Sequence, residues 1–146
     1  SGIDGCTSTA VGHAMQTDRM VTLISGDIAF LYDSNGFWNS KLPANLRVII
    51  LNNGGGNIFR IIQGPEHNES FETFQETVHD LNLKGVADIY GLQFAAVDNE
   101  KDLKSALSEF FGASEKGRIL EIKTPRLENP KVLKEYFEFI RAKNND

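Results

Sequence analysis

The chain is 146 residues long, which fills one module with a sizeable core and leaves no room for two ordinary domains. Apolar residues make up 40% of it and charged residues 24%, a balance that excludes disorder, collagen and coiled coil. With 15 basic against 20 acidic residues the net charge is −5, so the footprint of nonspecific nucleic-acid binding is missing. Cys6 is the single cysteine and cannot form an internal disulfide, and His13, His67 and His79 lack zinc-ligand spacing. The opening segment is small and polar rather than signal-like, and no apolar run approaches the roughly 20 residues of a membrane span, so a cytoplasmic location is expected.

Along the chain, Met20–Ile24 (MVTLI) and Arg47–Leu51 (RVIIL) are nearly uninterrupted apolar runs and read as buried strands of a parallel sheet. Leu83, Val86, Ala87 and Tyr90 mark a short helix ahead of a third strand, Leu92–Val97. Leu103, Ala106, Leu107, Phe110 and Phe111 form a helical stripe that Asp98 or Asn99 can cap. Arg118–Ile122 is the fourth strand. A last helix follows, with Asn129 and Pro130 at its N-cap and first position and Val132, Leu133, Tyr136, Phe137 and Ile140 on its apolar face. Strands alternating with helices predict an α/β, doubly wound, mainly parallel sheet with helices on both faces. His13 reads as a surface or hydrogen-bonded histidine, and Phe30, Phe37 and Trp38 as core. Asp33–Gly36 resembles part of a calcium loop but lacks the terminal glutamate ligand. Glu66, Glu69, Glu72 and Glu76 read as a solvated face, and the Asn68-Glu69-Ser70 sequon as a chance match.

In doubly wound sheets ligands sit at the carboxyl ends of the strands. The first strand leads into Ser25-Gly26-Asp27-Ile28 and the second into Asn52-Asn53-Gly54-Gly55-Gly56-Asn57. Asp27 offers a carboxylate and Asn53 an amide oxygen, the hard-oxygen donors that magnesium prefers, and a backbone carbonyl can be the third ligand. Glycines 54–56 allow positive φ, which brings a carbonyl close to an ion, while the N–H groups after Gly26 can meet phosphate oxygens. The two loops together read as a magnesium–diphosphate clamp. Each alone is also ordinary turn and capping chemistry.

Gly-Asp followed by Asn-Asn at this spacing is similar to the signature of thiamine-diphosphate-dependent enzymes. Ser1-Gly2-Ile3-Asp4-Gly5, Phe30-Leu31-Tyr32-Asp33, Asn35-Gly36 and Ile58-Phe59 narrow the resemblance to the 2-succinyl-5-enolpyruvyl-6-hydroxy-3-cyclohexene-1-carboxylate synthases of menaquinone biosynthesis. Its strongest matches cover residues 1 to about 62. The resemblance implies the thiamine-diphosphate-binding fold, and a single carboxyl-terminal diphosphate-binding domain over residues 1–146, cut from a larger enzyme without its first strand and inactive alone.

It also implies that Asp27, the Asn53 side chain and the Gly55 carbonyl hold Mg²⁺ (or Mn²⁺). Ile3 is then the wedge beneath the cofactor's two rings, with Gly2, Asp4, Gly26 and Ile28 also against the cofactor. Ile3, Ile58 and Phe59 are the residues it places at the chemistry, Ile58 and Phe59 as an apolar surface over the reacting carbon. Arg60 is a candidate for substrate carboxylates and equally reads as a surface arginine. The implied reaction decarboxylates 2-oxoglutarate and adds the resulting carbanion to isochorismate. The glutamate such chemistry needs is implied to come from a pyrimidine-binding domain of a neighbouring subunit, in a homodimer or homotetramer. The chain departs from the superfamily pattern at Ile28, where a glycine is usual, and at Gly54, where this subgroup often has a third asparagine. Two further readings stand beside this one: another thiamine-diphosphate enzyme of the acetolactate synthase or 2-oxo acid decarboxylase type, and a non-catalytic flavodoxin-like binding module. Metal dependence separates the last from the others.

Overall fold

β-Branched residues fit a pleated surface that is buried on both faces, and the Arg-Val-Ile-Ile-Leu run lies at the centre of the sheet in the computed structural model, which describes residues 3–62, 64 and 69–143. Ser1, Gly2, Glu66, His67 and Asn68, named above, lie outside the described residues. The chain forms two compact units, residues 1–52 with 81–123, and residues 53–80 with 124–146.

The first unit holds the sheet. Its strands are β1 (Val21–Gly26), β2 (Leu46–Asn52), β3 (Gln93–Val97) and β4 (Arg118–Lys123), all parallel, in the order β1-β2-β4-β3. Its helices are α1 (Cys6–Ala14), α2 (Asp27–Tyr32), a 3₁₀ turn at Ser34–Phe37, α4 (Leu83–Tyr90) and α5 (Glu100–Phe110). The second unit contributes α3 (Ile58–Ile61), a π-helical turn at Phe71–Gln75 and α6 (Asn129–Lys143).

Alternation along β2 divides the core. Leu46, Val48 and Ile50 pack with Val11 and Ala14 of α1, Phe30 of α2 and Ala87 of α4. Ile49 points the other way, onto Leu120, Val97 and Phe110 of α5. Helices therefore cover both faces, as the sequence pattern predicts. Asn99 caps α5 by accepting from the Asp102 N–H, and Asn82 caps α4 from Lys84.

Four expectations need correction in this unit and the next. β1 is an edge strand, and Ile24 is 65% exposed rather than buried, because the strand order gives it a neighbour on one side only. Trp38 is not core: it is 84% exposed, while Phe30 and Phe37 are fully buried with rings 5.8 Å apart. In the second unit, Val132, Tyr136 and Phe137 of α6 are exposed, so a correctly phased apolar face is left largely uncovered. Asn129 falls inside α6 rather than at its cap, since the Val132 N–H already bonds the Glu128 carbonyl.

Two buried side chains brace the first unit. Asp33, far from being a calcium ligand, accepts from the Ser8 N–H at 2.7 Å and the Ser8 hydroxyl at 2.6 Å, fixing the 3₁₀ turn to α1. Arg47 is 2% exposed and donates from Nε to the Phe110 carbonyl and from Nη2 to that of Gly112, with Nη1 reaching Ala44 and Leu46. A guanidinium at the carboxyl end of α5 meets the helix dipole and its orphan carbonyls together. Burial, then the nearby Arg118, pushes Arg47 below its ordinary value. Arg47→Leu is expected to destabilise the fold by about 2–4 kcal/mol in urea unfolding, because buried carbonyls are left unpaired.

Candidate functional site

β1 and β2 are neighbours in register, Gly26 opposite Leu51, so their carboxyl ends are level at one edge of the sheet. This is the expected placement for the first loop and for Asn52. Gly26 precedes α2 in an extended conformation and Asp27 is the first helical residue, 2% exposed. A carboxylate at this position faces the positive end of the helix dipole. Ile28 is half-buried, and Ile3 and Asp4, just ahead of α1, are exposed, Ile3 by 41%. Behind the edge, buried Glu121 of β4 accepts from the Asn52 amide at 2.5 Å.

Asn53 is the next residue after β2 and opens the second unit. Its Oδ1 is buried and has no hydrogen-bond partner. An orphaned acceptor of this kind is costly in a folded protein unless a ligand satisfies it. A hard cation does so, and an amide oxygen is among the donors such a cation takes. Among the described residues no group of three His, Cys, Asp or Glu could hold a metal.

The glycines that follow are required by close packing. Gly54 has φ of 73°, and a Cβ on Gly55 would sit 3.0 Å from the Glu76 carbonyl oxygen. Gly56 does not have positive φ; its N–H donates instead to the Glu76 carbonyl at 2.6 Å, and the His79 N–H donates to the Gly54 carbonyl at 3.1 Å. The loop is thus stitched to residues 76–79. The Gly55 carbonyl accepts from the Asn57 N–H at 3.0 Å. Ile58 is 56% exposed and Phe59 half-buried on the single-turn α3, an apolar surface presented beside the loop.

Arg60 is neither free for a substrate nor simply solvated. Its Nε and Nη2 grip Glu76 at 2.6 and 2.5 Å, Nη2 also reaches Glu72 at 2.7 Å, and the guanidinium lies 5.1 Å from the Phe71 ring centre. Arg126 adds contacts of 2.8 Å to Glu76 and 3.1 Å to Glu72. Glu76, expected on a solvated face, is fully buried; Glu69 and Glu72 are exposed as expected. This cluster was not visible in the sequence as a site. The four residues come from α3, the π turn and the segment before α6, and no local period links them.

The hydrogen bonds to Glu76, foremost, hold the Arg60 guanidinium above its ordinary value. Arg126, then Arg60, hold the Glu72 carboxyl below the ordinary range near 4.5. A depressed carboxylate contributes stability above its unfolded value and loses it as the pH falls through the folded one. The advantage of the wild type over Glu72→Gln is therefore expected to be constant from pH 7 to about 5, and to shrink as the pH falls further, below the ordinary glutamate range. Urea midpoints measured from pH 7 to 3 check this; an advantage that stayed constant, or grew, between pH 5 and pH 3 would refute it.

Residues 6–122 match the model of the thiamine pyrophosphate enzyme, C-terminal TPP binding domain. The chain belongs to this family, whose cofactor is thiamine diphosphate. Among curated relatives, it is 45% identical over 142 residues to the 2-succinyl-5-enolpyruvyl-6-hydroxy-3-cyclohexene-1-carboxylate synthase of Christiangramia forsetii, covering 97% of this chain and 25% of that one. The synthase of the same name from Flavobacterium psychrophilum is 46% identical over 94% of this chain and 25% of its own. The chain thus spans about a quarter of the length of the curated relatives it matches. Similarity runs well beyond residue 62, where the motif resemblance was strongest, to almost the whole chain. In fold, a thiamine diphosphate-dependent 4-hydroxybenzoylformate decarboxylase of Rhodococcus jostii superposes with a TM-score of 0.60 at 23% identity, over 80% of this chain and 22% of that one. The fold is accordingly the thiamine-diphosphate-binding one and not a flavodoxin-like module. Among the described residues no helix is long and apolar enough to cross a membrane.

Proposed function

We propose that the chain is the diphosphate- and metal-binding domain of a larger synthase that decarboxylates 2-oxoglutarate and adds the resulting carbanion to isochorismate. The observation that carries the site is the buried, unpartnered Oδ1 of Asn53 directly after the central strand. The names of relatives at 45 and 46% identity support the substrate pair. Asp27, Asn53 Oδ1 and the Gly55 carbonyl hold Mg²⁺, with Mn²⁺ as a possible substitute, and Gly2, Ile3, Asp4, Gly26 and Ile28 lie against the cofactor. When bound, thiamine diphosphate supplies the carbon nucleophile and the electron sink for decarboxylation. The protein's part is to position and to exclude water: Ile3 supports the cofactor from below, and Ile58 and Phe59 cover the reacting carbon with apolar surface. The exposure of Ile3 and Ile58 suits residues that are covered by a ligand or by the rest of the enzyme. The group that handles the proton on the cofactor's aminopyrimidine comes from a pyrimidine-binding domain of a neighbouring subunit, so the working enzyme is a cytoplasmic homo-oligomer.

Carbon dioxide release by the complete enzyme tests this, with Mg²⁺ and thiamine diphosphate present and 2-oxoglutarate plus isochorismate compared against pyruvate. Release is expected with the first pair and not with pyruvate. Release with pyruvate alone would keep the site and transfer the enzyme to the acetolactate or decarboxylase type.

A further inference from the structure

The glycine loop carries a second amide whose burial nothing within the chain explains. Asn57 ends the loop and precedes α3; it is 8% exposed. Among the described residues of its unit, the buried side-chain atoms that have no hydrogen-bond partner are Asn53 Oδ1, Gln75 Oε1 and both amide atoms of Asn57. An amide that makes no bond in the folded chain contributes no hydrogen bond to holding the fold and costs stability by its desolvation. Its neighbours narrow what it meets. It lies four residues after Asn53, on a loop stitched at Gly54 and Gly56 to the 76–79 segment. The other orphaned atoms are acceptors, which suit a cation or its water. Asn57 Nδ2 is the donor among them, and whichever way the amide is turned it keeps one donor and one acceptor. A diphosphate anion needs donors, and an amide that gives one bond to a phosphate oxygen can accept one from a metal-bound water.

We infer that Asn57 is a further contact residue of this site, its Nδ2 donating to a diphosphate oxygen and its Oδ1 accepting from a water on the metal. The inference rests on the proposed reading of the loop as the metal–diphosphate clamp. It assigns the loop two amides with different tasks: Asn53 serves the cation and Asn57 the anion.

The test is the binding of thiamine diphosphate to the complete enzyme, followed by fluorescence titration at fixed Mg²⁺, together with the thermal midpoint of the cofactor-free protein. Asn57→Leu keeps the branched shape and the number of heavy atoms and removes both polar atoms, so the cofactor-free midpoint is expected to stay or rise. Cofactor affinity is expected to fall about 10- to 100-fold, the worth of a hydrogen bond to a charged group. Asn57→Asp keeps the shape and places a negative charge against the anion, so it should weaken thiamine diphosphate more than Mg²⁺ even if its stability changes. Asn53→Leu is the reference for the reading beneath. Wild-type affinity in both Asn57 variants with loss in Asn53→Leu overturns the inference and leaves the clamp. Wild-type affinity in all three overturns both. A fall in the Asn57→Leu midpoint with unchanged affinity in Asn57→Asp makes Asn57 a packing residue and likewise refutes the inference.

Discussion

Asp27→Ala in the complete enzyme is expected to abolish Mg²⁺-dependent binding of thiamine diphosphate and to lower kcat/KM by about 10³-fold or more. Loss of a metal that bridges a diphosphate removes several kcal/mol of interaction, and each 1.36 kcal/mol is a factor of ten. Asn53→Ala should approach the same loss by a different route. Its Oδ1 makes no bond within the chain, so its removal leaves folding almost untouched while the ligand is lost. Asp27 is different, since it is 2% exposed at the first residue of α2 and its charge also meets the helix dipole. Asp27→Asn keeps the shape and one acceptor oxygen while removing the charge. Calorimetric titration of Mg²⁺ in the presence of thiamine diphosphate, beside thermal unfolding of the cofactor-free protein, measures both. Binding within tenfold of wild type in Asp27→Ala would remove this residue from the site.

Glu76→Ala is expected to be the most damaging change to the second unit, destabilising it by about 2–3 kcal/mol. Removing one member of a buried ion pair costs about 3–5 kcal/mol because the partner charge is stranded. Arg60 and Arg126 retain 21% and 26% side-chain exposure, so water recovers part of that. The same residue supports the loop through its backbone, accepting from the Gly56 N–H and lying against Gly55. Loosening it should therefore weaken Mg²⁺ binding about 10- to 100-fold, the usual effect of losing a residue that orients metal ligands. Glu76→Gln should lose less, because the amide can still accept from one guanidinium. Urea unfolding paired with metal titration reads both effects, and a variant with weakened stability but wild-type metal affinity would detach the cluster from the loop.

Segments of similar chemistry differ in how legible they are in the sequence. The strands at Arg47–Leu51 and Arg118–Ile122 were readable because burial on both faces demands continuous apolar runs, and α5 because its stripe and Asn99 cap are local. Trp38 and the face of α6 misled for a shared reason: an apolar side chain states that it can be buried, and only its neighbours decide whether it is. Glu76 misled in the opposite direction. A glutamate in an acidic stretch looks solvated until two arginines, one 16 residues before it and one 50 after, close on it.

What the amino-acid order determined by itself was the parallel α/β class, the two loops at the strand ends and the donor types they carry, since these follow from short-range periodicity and from the chemistry of Asp27, Asn53 and the glycines. The tertiary structure alone decided that β1 lies at an edge, that Asn57 is buried without a partner, and that Arg60 is spent on Glu76 rather than on a substrate. Those outcomes depend on which distant segments meet, and contact between residues far apart in the chain leaves no period in the sequence to read.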